Sequence, residues 1–200
     1  SANASDSNGR GQFYYTPPSG HLACCTANLP DPEINPNNAE NSSEHFNIVT
    51  YDGDGTSNRS ITGVGFQPDW VWIKGRNYNG ASHSLTDSVR GATKRLYSDT
   101  NGDENTNAEY LQSFDSDGFT VGSHAAHNSG SHKFVAWNWK AGGSAVANNN
   151  GSIASSVSAN TKAGFSIVSY TGTGSAGTVG HGLTQALSLI HISEPTRPIH

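Results

Sequence analysis

The stretch FNIVTYDGDG, residues 46–55, decides how this chain is read, because it returns as FSIVSYTGTG at residues 165–174. Six of the ten positions are identical, and the copies lie 119 residues apart. In the first copy Phe46, Ile48 and Thr50 alternate with Asn47, Val49 and Tyr51, the period of two that a strand requires. The second copy continues through TVGHGL, which matches the ITGVGF of the first. The first then enters QPDWVWIK, whereas the second diverges after Ala186.

Working outward, residues 44–143 form one complete unit. PDWVWIKGR reads as a strand, and Asp117-Gly118 between YLQSF and FTVGS predicts a type I′ hairpin turn. HKFVAWNWK puts Val135, Trp137 and Trp139 on one face and Asn138 and Lys140 on the other. About five to seven such strands closed by AGG predict an all-β fold, an antiparallel β-sandwich of jelly-roll or concanavalin-like type. Residues 144–163, rich in Ser, Asn and Ala, predict a flexible linker, and 164–186 the truncated start of a second repeat. Upstream, QFYYT (12–16) and HLACCT (21–26) around PPSG predict two strands, so residues 1–30 read as the end of a preceding β domain. The proline-containing segment 31–43 then reads as a linker. Cys24 and Cys25 are adjacent, which disfavours a mutual disulfide; they read as two small buried residues in a strand.

Composition narrows the function classes. Charged residues are 14% of the chain and the net charge is −5, which excludes the basic footprint of a nucleic-acid binder. No apolar run reaches the roughly 18 residues of a membrane helix, so no membrane insertion is expected. The basic segment VRGATKR, 89–95, reads as a solvated strand-and-turn face.

Candidate chemistry is sparse. The tryptophans fall in two pairs, Trp70/Trp72 and Trp137/Trp139, each spaced to share one strand face. Filling the sandwich core is the plainer role for such area. Trp70 and Trp72 are nevertheless the ligand-binding candidates, since Val71 and Ile73 already supply a buried face there and paired indoles can stack on sugar rings. Asp99, Asn101 and Asp103 have the first three spacings of a calcium loop, but Glu104 and Tyr110 stand where an EF-hand needs Gly and Glu. The loop therefore reads as solvated, with an irregular calcium site as the alternative. His124, His127 and His132 read as solvated loop residues. His83, Ser84, Asp87 and Ser88 read as ordinary loop composition, with no nucleophile elbow. No catalytic residue, no enzyme activity and no cofactor is expected.

The strings F-x-I-V-x-Y-x-G-x-G, GVGFQPDWVWIKGR, SLTDSVRG, SFDSDGFTVG and FVAWNWKAGG resemble a repeated domain of unknown function found in tail-fibre and other structural proteins of bacteriophages. FYYTPPSGHLACCTANLPDPEI is similar to the end of a SPRY-like, concanavalin-type sandwich. The resemblance implies a virion location, with a bacterial extracellular one as the alternative. The partners it implies are a host-surface glycan or protein and other virion subunits. A fibre further implies a homotrimer, although no heptad or collagen-like period here encodes one. Three roles follow as expectations: host-surface binding by tandem sandwiches, architectural spacing, or a secreted adhesin or depolymerase accessory domain. Finally, LSLIHISEPTR at residues 187–197 resembles the translation of a transposon-based sequencing adapter, and the chain contains no Met. It thus reads as a window from a longer repetitive protein in environmental DNA, with residues 187–200 set aside.

Overall fold

The computed structural model describes residues 4–25, 28, 41–187 and 190. The strands are β1 (Phe46–Asp52), β2 (Arg59–Thr62), β3 (Trp70–Gly75), β4 (Ser84–Asp87), β5 (Lys94–Arg95) and β6 (Asn105–Thr106). They continue with β7 (Leu111–Asp115), β8 (Gly118–Val121), β9 (Lys133–Trp139), β10 (Val146–Asn148), β11 (Ser155–Asn160) and β12 (Phe165–Tyr170). Among the described residues a 3-10 turn, Ser42–Glu44, precedes β1, and a short α-helix, α1 (Ala125–Asn128), precedes β9. The all-β expectation holds, and all the strand pairs in its sheets run antiparallel.

Two sheets make the sandwich. The first has the order β1-β9-β3-β4 and the second β2-β8-β7. Alternation decides what lies between them. Val71 and Ile73 of β3 and Phe134 and Ala136 of β9 point inward and meet Ile61, Leu111, Phe119 and Val121. Tyr51 of β1 stacks on Phe134 at 5.2 Å between ring centroids, and burial pushes its phenol above its ordinary pKa. Asn138 lies on the face opposite Trp137 and Trp139, as its spacing predicts, and that face is the inward one, where it is fully buried. Its amide nitrogen donates to the carbonyls of Asn47 (3.2 Å) and Ala136 (3.1 Å), while its Oδ1 is buried without a hydrogen-bond partner.

The hairpin between β7 and β8 forms one residue earlier than the Asp-Gly motif predicts. Asp115 pairs with Gly118, leaving Ser116 and Asp117 as the loop, and the positive φ (+147°) falls on Gly118 inside β8. Asp117 has another task. Its carboxylate accepts the N–H groups of Gly65 (2.6 Å) and Gly63 (3.1 Å), which hold its pKa below the ordinary value and pin the turn after β2.

A third sheet, β10-β11-β12, stands where a flexible linker was expected between residues 144 and 163. β11 (SSVSAN) is rich in serine, and a hydroxyl joins it to the sandwich. Ser158 Oγ accepts from Gly142 N (2.9 Å) and donates to Gly143 O (2.7 Å), tying β11 to the chain just after β9. Asp69 holds that same segment from the other side, accepting Ala141 N at 2.8 Å and Ser88 Oγ at 2.9 Å.

At the N-terminal end the strands expected at 12–16 and 21–26 are absent from the described residues apart from a single Ala4–Phe13 bridge. Asp6 takes up the donors that a neighbouring strand would otherwise need: the N–H groups of Asn8, Arg10 and Ala23 all reach its carboxylate. Cys24 is exposed and Cys25 half-buried, both free and outside any strand, which corrects the buried-strand reading. Most of the 31–43 linker and of the adapter-like tail lies outside the described residues.

Candidate functional site

The outer face of the first sheet carries the chain's aromatic wealth. Register lines its side chains into two rows. Phe46, Trp139 and Trp70 form one across β1, β9 and β3; Ile48, Trp137 and Trp72 form the next. Trp139 lies 4.8 Å from Phe46 and 4.6 Å from Trp70, while Trp72 is 5.8 Å from Trp137. All four tryptophans are half-buried and none belongs to the core between the sheets, so the core-filling role is taken by Phe119 and Phe134 instead.

The two candidate residues do different things. Trp70 is covered: Phe165, at the start of β12, stacks on it at 5.7 Å and 12°, and lies 6.2 Å from Trp139. Trp72 is held in orientation, its indole N–H donating to His83 Nδ1 at 2.8 Å. Beside Trp72 and Trp137 lie Ile48, 48% exposed, together with Thr50, Val135 and Lys74. The Lys74 ammonium is spent locally, donating to Gly75 O (3.1 Å) and Ala81 O (2.9 Å). Ile48, Trp137 and Trp72 thus form a mainly apolar row on the outer face, its two indoles half-buried.

Behind this sheet is a buried polar cluster that sequence reading did not foresee. Ser84, expected in a loop, sits in β4 with its Oγ 2.7 Å from His127 Nε2. His127 is fully buried in α1, not solvated, and His124 caps that helix by accepting Ala126 N (3.2 Å). Tyr110 packs against both imidazoles, at 4.6 and 5.0 Å. Arg95, expected on a solvated face, is only 4% exposed. It donates to Ser82 O at 2.9 Å, and its guanidinium sits over the rings of Tyr97 (4.4 Å) and Tyr110 (5.5 Å). The rest of the basic segment is neutralised in place: Arg90 pairs with Asp87 at 2.6 Å and Glu104 at 2.9 Å. Asp87 is therefore a buried salt-bridge partner and not a loop residue.

The Ser84–His127 pair lacks the geometry of a nucleophile. His127 Nδ1 is buried without a hydrogen-bond partner, so no third group orients the ring, and Ser84 itself is 1% exposed. Its effect is on stability. Burial, then the nearby Arg95 and His124, push the His127 pKa well below its ordinary 6.5, and burial with Arg95 lowers that of His124. A depressed histidine contributes stability that is complete above the unfolded-state value and drains away as pH falls toward the folded one. Stability is therefore expected to drop by about 1 kcal/mol from His127 between roughly pH 6.5 and 5.5. Urea melts across that interval measure it. His127→Gln should flatten the profile, and an unchanged slope in that variant would rule His127 out as the cause.

Asp99 accepts the His83 backbone N–H at 3.2 Å, so one oxygen of the calcium candidate is already engaged. Among the described residues no group of three or more His, Cys, Asp or Glu is placed to hold a metal. His132 stacks on Tyr78 at 4.3 Å, away from the other two histidines of its segment. No helix among the described residues is long and apolar enough to cross a membrane.

A domain of unknown function, DUF7483, matches residues 41–197. The chain belongs to the DUF7483 family. No curated protein and no solved structure matches it. The matched range takes in both copies of the F-x-I-V-x-Y string and every strand of the sandwich and the third sheet.

Proposed function

We propose that this chain is part of a bacteriophage tail-fibre or tail-associated virion protein, whose β-sandwich repeats present an aromatic strip to host-surface glycan or protein. The observation that carries the reading is the strip of Ile48, Trp137 and Trp72 on the outer sheet face, with Phe165 stacked on the adjoining row. Flat, rigid aromatic groups suit sugar rings, and repetition of a weak site along a fibre would multiply its effect by avidity. The family resemblance of the repeated strings supplies the virion setting.

A second reading, that of an architectural spacer, rests on Phe165 itself. Its stacking on Trp70 and Trp139 shows that one row of the same face is used to dock the next hairpin. The two readings separate by experiment. The full chain is applied to an array of bacterial surface polysaccharides, with Trp72→Ala and Trp70→Ala alongside. Under the binding reading Trp72→Ala loses about tenfold or more in affinity with a melting temperature within a few degrees of the parent. Trp70→Ala should instead lower the melting temperature and leave binding nearly intact. No retention of the parent chain by any polysaccharide would favour the spacer.

A further inference from the structure

We infer that His83 is a positioning residue for Trp72 and makes the aromatic row sensitive to protons: neutral His83 fixes the indole, and protonated His83 releases it. The inference deepens the proposed binding role and rests on it for the consequence at the ligand, though not for the coupling between the two rings.

An indole N–H donates and accepts nothing, so the 2.8 Å bond between Trp72 Nε1 and His83 Nδ1 has one polarity. Trp72 supplies the hydrogen and His83 the lone pair. Nδ1 is therefore unprotonated, and the neutral ring carries its hydrogen on Nε2. An imidazolium has an N–H at both nitrogens and no lone pair to offer. When His83 takes up a proton from solvent, an N–H forms at Nδ1 and the hydrogen bond from Trp72 is lost. The bond and a charged His83 exclude one another.

Position makes this exchange matter at the row. Trp72 lies 5.8 Å from Trp137, and its cross-strand partner on the other side is Leu85 of β4. His83 immediately precedes β4 and meets the indole at 5.5 Å between ring centroids and 70° between planes. It is half-buried, so its ring exchanges protons with solvent, whereas His127 is sealed behind the sheet. The charged groups of the neighbouring elements engage backbone. Asp99 accepts the His83 N–H at 3.2 Å, and Arg95 of β5 donates to the His83 carbonyl at 3.4 Å. Lys74 of β3 donates its ammonium to Ala81 O at 2.9 Å. From β9 the neighbour is Trp137, which does not titrate. These contacts hold the segment that carries His83, so the ring is the part that responds to a proton.

The test follows the indole N–H resonances of the isotope-labelled full chain by NMR from about pH 8 to about pH 5, the range in which histidines titrate. Trp72→Phe assigns the Trp72 resonance, and His83→Asn assigns the His83 ring. The Trp72 resonance should move with the midpoint that the His83 ring itself shows. In His83→Asn the movement should vanish, because the Asn Oδ1 offers an acceptor near the place of Nδ1 and takes up no proton in this range. His83→Phe keeps a ring without an acceptor and should leave the resonance near its acid position at every pH. A Trp72 resonance that stays still while His83 titrates would overturn the inference. So would movement of equal size in His83→Asn, which would assign the effect to His124 or His127. With a polysaccharide that the parent chain retains, affinity should fall about three- to tenfold toward the acid end, the worth of one neutral hydrogen bond, and stay level in His83→Asn. A level affinity in the parent chain would overturn the positioning role. Retention of no polysaccharide at any pH would instead strike the glycan reading, and the indole titration would still decide the coupling.

Discussion

Replacing Gly118 by alanine is expected to destabilise the sandwich by about 3 kcal/mol or more, through backbone strain and a steric clash that act together. At φ +147° this residue occupies a region that L side chains rarely adopt. A Cβ there would also lie 2.0 Å from Ile61 O and 3.1 Å from its carbonyl carbon. Neither neighbour can retreat cheaply. Ile61 is fixed in β2 by its register against β8, with Ile61 opposite Phe119 and Thr62 opposite Gly118. Its side chain is part of the core. Gly63 supplies the control. Its φ is +88°, but a Cβ would meet nothing within 4 Å, so Gly63→Ala carries only the conformational cost of about 1–2 kcal/mol. Urea unfolding of both variants decides the matter. If Gly118→Ala were no worse than Gly63→Ala, the close approach of β8 to β2 would be wrong.

The parts of this fold legible in sequence are those where apolar residues alternate. On β1, β3 and β9 the period of two separates Val49, Val71, Ile73 and Phe134 from the outer tryptophans, and the faces follow directly. The parts that were not legible depend on partners distant in sequence. Nothing local marks Ser84 as a strand residue, because its burial is offset by a histidine 43 positions away. Arg95 looks solvated until Tyr97 and Tyr110 close over it. β10 and β11 read as linker because Ser, Ala and Asn dominate the segment that holds them. Ser158 is nonetheless 1% exposed, its hydroxyl satisfied by Gly142 and Gly143. A signal did exist for the third sheet: the second F-x-I-V-x-Y string demanded a strand, and a strand with an apolar face demands a neighbour. The aromatic site was half legible. Spacing placed Trp70 and Trp72 together, but only the sheet order shows that Trp137 joins Trp72 and that Phe165 covers Trp70.

Truncating β9 should have unequal consequences on its two faces, and this is the second large effect. Phe134→Ala is expected to cost about 3–5 kcal/mol, the range for removing a fully buried aromatic side chain. Phe134 is 0% exposed, stacks on Tyr51, and contacts the cluster that joins the two sheets. The cavity it leaves would be walled by β-branched and aromatic residues held in register, which limits collapse. Trp137, three residues along, is half-buried on the outer face and leans on Trp72. Its truncation removes area from a surface that solvent can refill, so Trp137→Ala should cost only about 1–2 kcal/mol. Differential scanning calorimetry of the two variants tests this separation of roles. Equal losses would mean that the outer tryptophans hold the fold together, and an aromatic strip committed to stability has little to offer a ligand. A large gap between them would mean that β9 stabilises the sandwich from one face while leaving the other free to bind.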